Sequence, residues 1–174
     1  IRSDVRIPLI LMGYLNPIMK FGFEAFCQKC VECGIDGVII PDLPFKDYEE
    51  TYKPIADRYD IRVIMLITPE TSEARVREID EHTDGFIYMV SSAATTGAQK
   101  DFDNQKQAYF KKIQNMHLRN PRMVGFGISN KQTFDAACAN SSGAIIGSRF
   151  VTLLNEAEGD AEKAITQLKE GLKK

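Results

Sequence analysis

The sequence predicts an α/β fold built from six consecutive strand–helix units, and three observations support that prediction. Short apolar runs of strand length recur at regular spacing along the 174 residues. Turn residues follow each run, and each turn leads into a segment with helical periodicity. Because strands that alternate with helices form a parallel sheet with right-handed crossovers, we expect such a sheet here. No change in composition marks a boundary, so residues 1–174 are expected to form a single domain.

The first three units combine continuous apolar strands with helices. The run Pro8–Met12 is apolar throughout, which predicts a strand buried on both faces. Gly34 stands where the C-cap of a helix belongs, and Pro54 is expected to kink or restart the helix that contains it. The predicted elements are the strands Pro8–Met12, Gly37–Ile40 and Ile61–Ile67 and the helices Phe21–Cys33, Tyr48–Tyr59 and Ser72–Asp80.

The last three units contain a long polar segment, Ser91–Asp103, which we expect to be a functional or mobile loop. The pattern fits a doubly wound sheet and a barrel equally well, and six units are two fewer than the eight that close a barrel. In both architectures a ligand binds at the carboxyl ends of the strands. The predicted elements are the strands Gly85–Val90, Arg122–Val124 and Ala144–Ile146 and the helices Phe110–Met116, Asn130–Cys138 and Asp160–Leu172.

Two glycine-containing junctions near the C-terminus predict a site for a phosphorylated small molecule. Met123–Ser129 and Ala144–Ser148 are both apolar runs broken by glycine and serine where a helical pattern begins. At such a junction the backbone N–H groups can approach an anion, and the new helix presents its positive end. Ordinary strand-to-helix punctuation is the alternative for either junction alone. The occurrence of two on consecutive units favours the phosphate site.

Charge and hydropathy exclude several classes of function. A net charge of −2 argues against a nucleic-acid groove or an anionic membrane surface. No apolar run approaches the roughly 18–20 residues that cross a bilayer, and no signal-peptide pattern is present. We therefore expect a cytoplasmic protein.

The four cysteines predict buried structural thiols rather than a metal centre. Cys27, Cys30 and Cys33 are spaced three apart within a helical run, so they lie along one side of that helix. Such a run can ligate an iron–sulfur cluster, but the usual fourth ligand does not follow and Cys138 is remote. We expect neither a metal site nor a disulfide framework.

Acid–base chemistry has few candidates at the predicted strand ends. Asp42 directly follows an apolar strand and lies between two prolines, where it could act as a base or accept a hydrogen bond. The alternative, equally open, is an Asx turn in which Asp42 bonds its own backbone. His82 and His117 lie in loop-like surroundings without evident triad or zinc partners, and no lysine ends a strand.

The chain resembles the tryptophan synthase α subunit family over nearly its whole length. The segments that carry the resemblance are Gly13–Ile18, Gly37–Pro44, Ser91–Gly97, Gly125–Ser129 and Gly147–Ser148. The resemblance implies a (β/α)8 TIM barrel, of which this chain supplies strands three to eight with their helices. It also implies the cleavage of indole-3-glycerol phosphate to indole and glyceraldehyde 3-phosphate in tryptophan biosynthesis, a lyase reaction.

The resemblance further assigns substrate-binding positions. The positions matched to substrate phosphate are Gly97, Gly127, Gly147 and Ser148. Phe126 matches a residue of the indole pocket, with Tyr14 and Tyr88 beside it. Thr96, in the loop that closes over substrate, matches a residue that touches the catalytic aspartate.

Partner and catalytic positions are implied in the same way. Asn16, Pro17 and Asp42 match the surface that docks the β subunit, which carries pyridoxal phosphate in an α2β2 heterotetramer. No cofactor is expected in this chain. The family's catalytic glutamate and aspartate belong before Ile1, so no catalytic residue is expected among the 174, and the piece alone is expected to be inactive.

Two other functions are weighed beside this one. A non-catalytic module could bind a phosphorylated ligand or dock a partner through the Asn16 and Asp42 turns. Another phosphosugar barrel enzyme would share the double glycine junction. The segment Pro41–Pro44 and the polar residues Tyr14 and Asn16 favour the first assignment over the last.

Overall fold

The computed structural model describes residues 2–90, 99–125 and 127–173, with residues 99–105 described by their backbone alone. The chain divides into two compact units. The first comprises Ile1–Leu66 and Ser72–Ile87, and the second comprises Ile67–Thr71 and Tyr88–Lys174. The single domain over residues 1–174 stays a prediction.

The first unit contains a parallel three-stranded sheet in the order β1-β2-β3. Leu11 aligns with Val38 and Val38 with Val63, so the three strands leave the sheet in the same direction. The strands are β1 (Ile10–Met12), β2 (Gly37–Ile39) and β3 (Arg62–Ile64). The helices are α1 (Leu15–Phe21), α2 (Phe23–Cys33), α3 (Phe45–Asp47), α4 (Lys53–Arg58) and α5 (Glu73–His82), with a π-helical turn over Tyr48–Tyr52.

Two helix boundaries in this unit follow from single residues. Gly22 has a φ of 94°, which separates α1 from α2, whereas the sequence predicts one helix from Phe21. Pro54 lacks an N–H, and the π-helical turn precedes it before α4 continues. The expected restart at Pro54 is therefore confirmed, and Gly34 ends α2 in the left-handed conformation that a C-cap requires.

Two burial predictions in the first unit are wrong. The apolar strand β1 is exposed at 37%, 44% and 53% along Ile10, Leu11 and Met12. Among the described residues β1 pairs with β2 alone, so it lies at the edge of the sheet. Its residues are therefore exposed, although their continuous apolar sequence is typical of a central, buried strand. Cys27 and Cys30 are buried as expected, but Cys33 is exposed, because at 3.6 residues per turn a spacing of six places it about 120° around the helix from Cys27. Burial raises the pKa of Cys27 to about 11.

The second sheet has four strands in the order β4-β5-β6-β7. Its strands are β4 (Leu66–Ile67), β5 (Ile87–Val90), β6 (Arg122–Gly125) and β7 (Gly143–Ala144). The helices of the second unit are α6 (Gln99–Gln114), α7 (Lys131–Cys138), α8 (Ser148–Glu156) and α9 (Ala161–Gly171). Ile67, Met89, Ile113 and Val124 are fully buried here.

Two predicted boundaries differ from the structure. The strand Ile61–Ile67 is divided at Met65 into β3 and β4, which belong to different sheets. The part of the predicted loop Ser91–Asp103 from residue 99 onward is helical and begins α6. The helical pattern expected at the Ala144–Ser148 junction corresponds to α8, which begins at Ser148 and for which the sequence sets no end.

Candidate functional site

The turns that follow β1 and β2 are joined by a side chain. The Asp42 carboxylate Oδ1 accepts a hydrogen bond of 2.8 Å from the backbone N–H of Leu15, the first residue of α1. No side chain from the preceding Tyr14 caps this helix. Asp42 therefore supplies the missing cap from 27 residues away, where its negative charge also suits the helix N-terminus. This bond takes the place of the Asx turn considered as the alternative.

The positions expected to dock a partner lie together on this surface. Asn16 and Pro17 are exposed in the first turn of α1, next to the residue that Asp42 holds. Tyr14 precedes them and is 68% exposed. The structure thus brings Asn16, Pro17 and Asp42 to one surface of the first unit, with Tyr14 beside it.

Tyr88, by contrast, is a buried residue of the second unit. It lies in β5, and burial raises the pKa of its phenol above the ordinary value of 10.0. Its side chain packs on the backbone of Gly125 at the end of β6, where an added Cβ would come within 2.0 Å of the Tyr88 hydroxyl oxygen. Gly125 is therefore a site of close approach, and the phenol stays protonated at neutral pH.

At the first glycine junction, side chains of the following segment cap the helix that begins there. Gly127 is exposed and has a φ of 75°, a conformation that favours glycine. Beyond it, Asn130 and Thr133 form a capping box at the start of α7. The Thr133 hydroxyl also accepts a bond of 3.1 Å from the N–H of Ser129. The N-terminus of α7 is thus closed by its own side chains.

The second junction has the opposite character. Gly147 is the N-cap of α8, Ser148 is its first residue, and both are exposed. Gly147 has no side chain to cap this helix, no side chain of the described residues accepts a hydrogen bond from its first turn, and a Cβ added at Gly147 would meet none of their atoms within 4 Å. The N–H of Ile145 donates to the carbonyl of Val124 over 2.7 Å, which places this junction beside the end of β6. An open helix N-terminus beside a second glycine junction can accept an anion.

Three of the expected substrate-binding residues, Thr96, Gly97 and Phe126, lie outside the described residues. The prediction that Thr96 contacts a catalytic group and the assignment of Gly97 and Phe126 stay predictions.

Other ionisable groups form surface pairs. His82 ends α5, rather than lying in a loop, and its Nδ1 pairs with the Glu49 carboxylate. The Arg75 guanidinium lies 4.8 Å from the centre of the Phe45 ring. The sequence does not predict these two contacts, because Phe45 and Glu49 lie some thirty positions before Arg75 and His82. In the described part of the chain, no three potential metal ligands are grouped, and no helix has the length and apolar character needed to cross a membrane.

Comparison with known proteins gives consistent matches along the chain. The family model for the tryptophan synthase alpha chain matches residues 1–174. A tryptophan synthase alpha chain from Bacteroides fragilis is 80% identical over 169 residues, which cover 97% of this chain and 64% of that relative. One from Bacteroides thetaiotaomicron is 77% identical over 173 residues, covering 99% of this chain and 67% of the relative. The chain therefore spans about two thirds of the length of these relatives.

Solved structures give the same result. The tryptophan synthase alpha chain of Legionella pneumophila superposes with a TM-score of 0.82 at 28% identity, covering 99% of this chain and 65% of that one. The corresponding subunit of Pyrococcus furiosus superposes with a TM-score of 0.83 at 27% identity, covering 98% and 68%. These matches confirm the predicted fold class, six βα units of the (β/α)8 TIM barrel family.

Proposed function

Because the chain belongs to the tryptophan synthase alpha chain family, we propose that the whole protein cleaves indole-3-glycerol phosphate to indole and glyceraldehyde 3-phosphate. This chain supplies the phosphate end of the substrate site. The observation that carries this proposal is the open N-terminus of α8 at Gly147 and Ser148.

The contrast among helix termini in the second unit supports the assignment. Helix α7 is closed by Asn130 and Thr133, and α9 is capped by Asp160, which accepts a 3.0 Å bond from the N–H of Lys163. Helix α8 has no such cap among the described residues, so its first-turn N–H groups are oriented toward the space in front of Gly147. A phosphate dianion there would receive several backbone hydrogen bonds and the favourable end of the helix dipole.

The glycines define how closely the phosphate can approach. With open space at the Gly147 Cβ position, backbone rather than side chain faces the ligand. Gly127, at a φ of 75°, is the corresponding glycine of the junction that follows β6. Ser148 adds a hydroxyl at the first position of the helix. Together these residues hold the phosphate and thereby fix one end of the substrate.

The remaining parts of the site follow the resemblance. Phe126 and Tyr88 are assigned to the indole pocket, Gly97 to the phosphate contacts and Thr96 to the closing loop. A retro-aldol cleavage needs a base for the glycerol hydroxyl and an acid for the indole ring carbon, each contributing roughly 10²–10⁴-fold. We assign binding and orientation to these 174 residues and the acid–base pair to the rest of the protein.

The proposal includes a partner and a compartment. Asn16, Pro17 and Asp42 dock the tryptophan synthase β subunit, which carries pyridoxal phosphate and consumes the indole. Their exposure on one surface of the first unit supports this role. The protein is cytoplasmic, as expected for a biosynthetic enzyme that works on a soluble phosphorylated intermediate.

The test is indole release from indole-3-glycerol phosphate by the purified whole protein, with and without the β subunit. We expect release alone and faster release with the partner. Inorganic phosphate should inhibit competitively. Absence of release under both conditions, from a folded protein, would overturn the proposal.

A further inference from the structure

The chain that follows the Asp42 turn is anchored to helix α5 through Phe45. This phenylalanine lies three residues after Asp42 and is 8% exposed. The guanidinium carbon of Arg75 lies 4.8 Å from the centre of its ring, within the range of a cation–π contact. The ring centre of His82 lies 6.3 Å from that of Phe45. Two residues of α5 therefore hold one aromatic side chain.

A second link joins the same two segments. Glu49, in the π-helical turn that follows α3, pairs with the Nδ1 atom of His82. Tyr48 lies between the two links and is buried, with its ring centre 6.0 Å from that of Phe45. Residues 45–49 are thus fixed along one side of α5.

The other side of the turn is fixed to α1. The Asp42 carboxylate accepts from Leu15 N–H, and Leu43 between Asp42 and Phe45 is buried. The turn therefore spans two supports: α1, which carries the exposed Asn16, and α5, which carries Arg75. A surface made of both Asn16 and Asp42 keeps its shape only while both supports hold.

We infer that Phe45 and Arg75 are positioning residues for partner docking, an inference that rests on the proposed function. Neither side chain needs to touch the partner. Arg75 holds Phe45, Phe45 holds the end of the Asp42 turn, and the turn presents Asp42 beside Asn16. Loosening Arg75 from the ring lets the turn sample other positions, so the docking-competent arrangement is populated less and the apparent affinity falls by the same fraction.

The size of the effect follows from the exposure of the contact. The Arg75 side chain is 44% exposed, so its cation–π contact is of the modest, solvent-screened kind. Its loss should weaken partner binding about three- to fivefold. A larger loss would require direct contact with the partner.

The experiment measures the dissociation constant of the whole protein for the β subunit by calorimetry, at a temperature where every variant is folded. Arg75→Met keeps an unbranched apolar stem and removes the charge, Arg75→Lys keeps a cation near the ring, and Phe45→Leu removes the ring. Glu78→Gln is the matched control, because it removes the 2.9 Å ion pair of Arg75 without touching Phe45. The unfolding midpoint of each variant is recorded alongside.

We expect Arg75→Met and Phe45→Leu to weaken binding three- to fivefold, Arg75→Lys to restore at least half of the loss, and Glu78→Gln to leave the affinity unchanged. A purely structural role would lower the unfolding midpoint and leave the affinity of the folded variants unchanged, and that result overturns the inference. If the unchanged protein fails to bind the β subunit, the proposed docking function falls and the inference with it. If the unchanged protein binds the β subunit and no variant weakens that binding, the inference is wrong and the proposed docking function stands.

Discussion

The Asp42 carboxylate lies 2.8 Å from the backbone nitrogen of Leu15 and caps the helix that follows the neighbouring strand. The bond connects two parallel strand ends that are 27 residues apart. It explains how one aspartate can fix the surface of α1 without acting as a base.

Replacing Asp42 with alanine should lower the free energy of unfolding by about 1 kcal/mol, at the low end for a charged hydrogen bond because the site is exposed. Asp42→Asn retains an acceptor oxygen and should lose less than half of that. Urea denaturation of the whole protein measures both. Equal losses for alanine and asparagine would show that the charge, and not the bond, stabilises the turn.

Gly125 should tolerate no side chain while Tyr88 is present. A Cβ would lie 2.0 Å from the phenol oxygen, so we expect Gly125→Ala to cost about 3 kcal/mol through overpacking. In a Tyr88→Ala background the same change should cost less than about 1 kcal/mol, because the clash is gone. The four proteins of this double-mutant cycle are compared by denaturant unfolding.

Gly171→Ala is the control for that cycle, since its Cβ would meet no described atom within 4 Å. Additive losses at Gly125 and Tyr88 would mean that the two residues are not in contact.

Asp36 should make stability depend on pH. A hydrogen bond from the Leu9 N–H, and secondarily Arg2, lower the pKa of this carboxyl below 3.8. Because the pKa is depressed in the folded state, the stabilisation is complete above the unfolded pKa near 4 and is lost as pH falls through the folded value. Unfolding measured between pH 7 and pH 3 should therefore show Asp36→Asn less stable at pH 7, with the difference shrinking below about pH 4.

Arg2→Met separates the two causes at Asp36. It should retain most of the pH dependence, because the 2.7 Å bond from Leu9 remains. Loss of the whole pH dependence in that variant would assign the effect to Arg2 instead.

Local signals in the sequence were sufficient where an element carries its own cap. Asn130 and Asp160 begin α7 and α9 as the helix-start rules require, and Ser72 caps α5. Helix α6 begins earlier than the predicted segment Phe110–Met116, because residues 99–107 are strongly polar and show little apolar periodicity in the sequence. The buried residues Phe110 and Ile113 lie in the segment that is predicted. The prediction that β1 is buried is wrong, because the exposure of a strand depends on the elements that pair with it. The amino-acid composition of the strand does not reveal those elements.

In the candidate site, too, features with a local sequence signal are predicted, and contacts between distant residues are not. A glycine at a helix start predicts the Gly147–Ser148 junction, and in the described structure that helix N-terminus is open. The similar junction at Gly127 differs, because Asn130 and Thr133 use the hydrogen bonds of α7 internally. The Asp42–Leu15 bond and the Arg75–Phe45 contact join residues far apart in sequence, so no spacing rule reveals them.

The most direct test of the account is the KM of the whole protein for indole-3-glycerol phosphate after Gly147→Asp, with Gly171→Asp as the control. An aspartate at the N-cap suits the helix itself, so stability should stay the same or rise slightly. Its carboxylate would occupy the space assigned to phosphate, so KM should rise roughly tenfold or more by like-charge repulsion, with a smaller change in kcat. A KM within twofold of the unchanged protein, in a folded variant, would contradict the placement of the phosphate at α8.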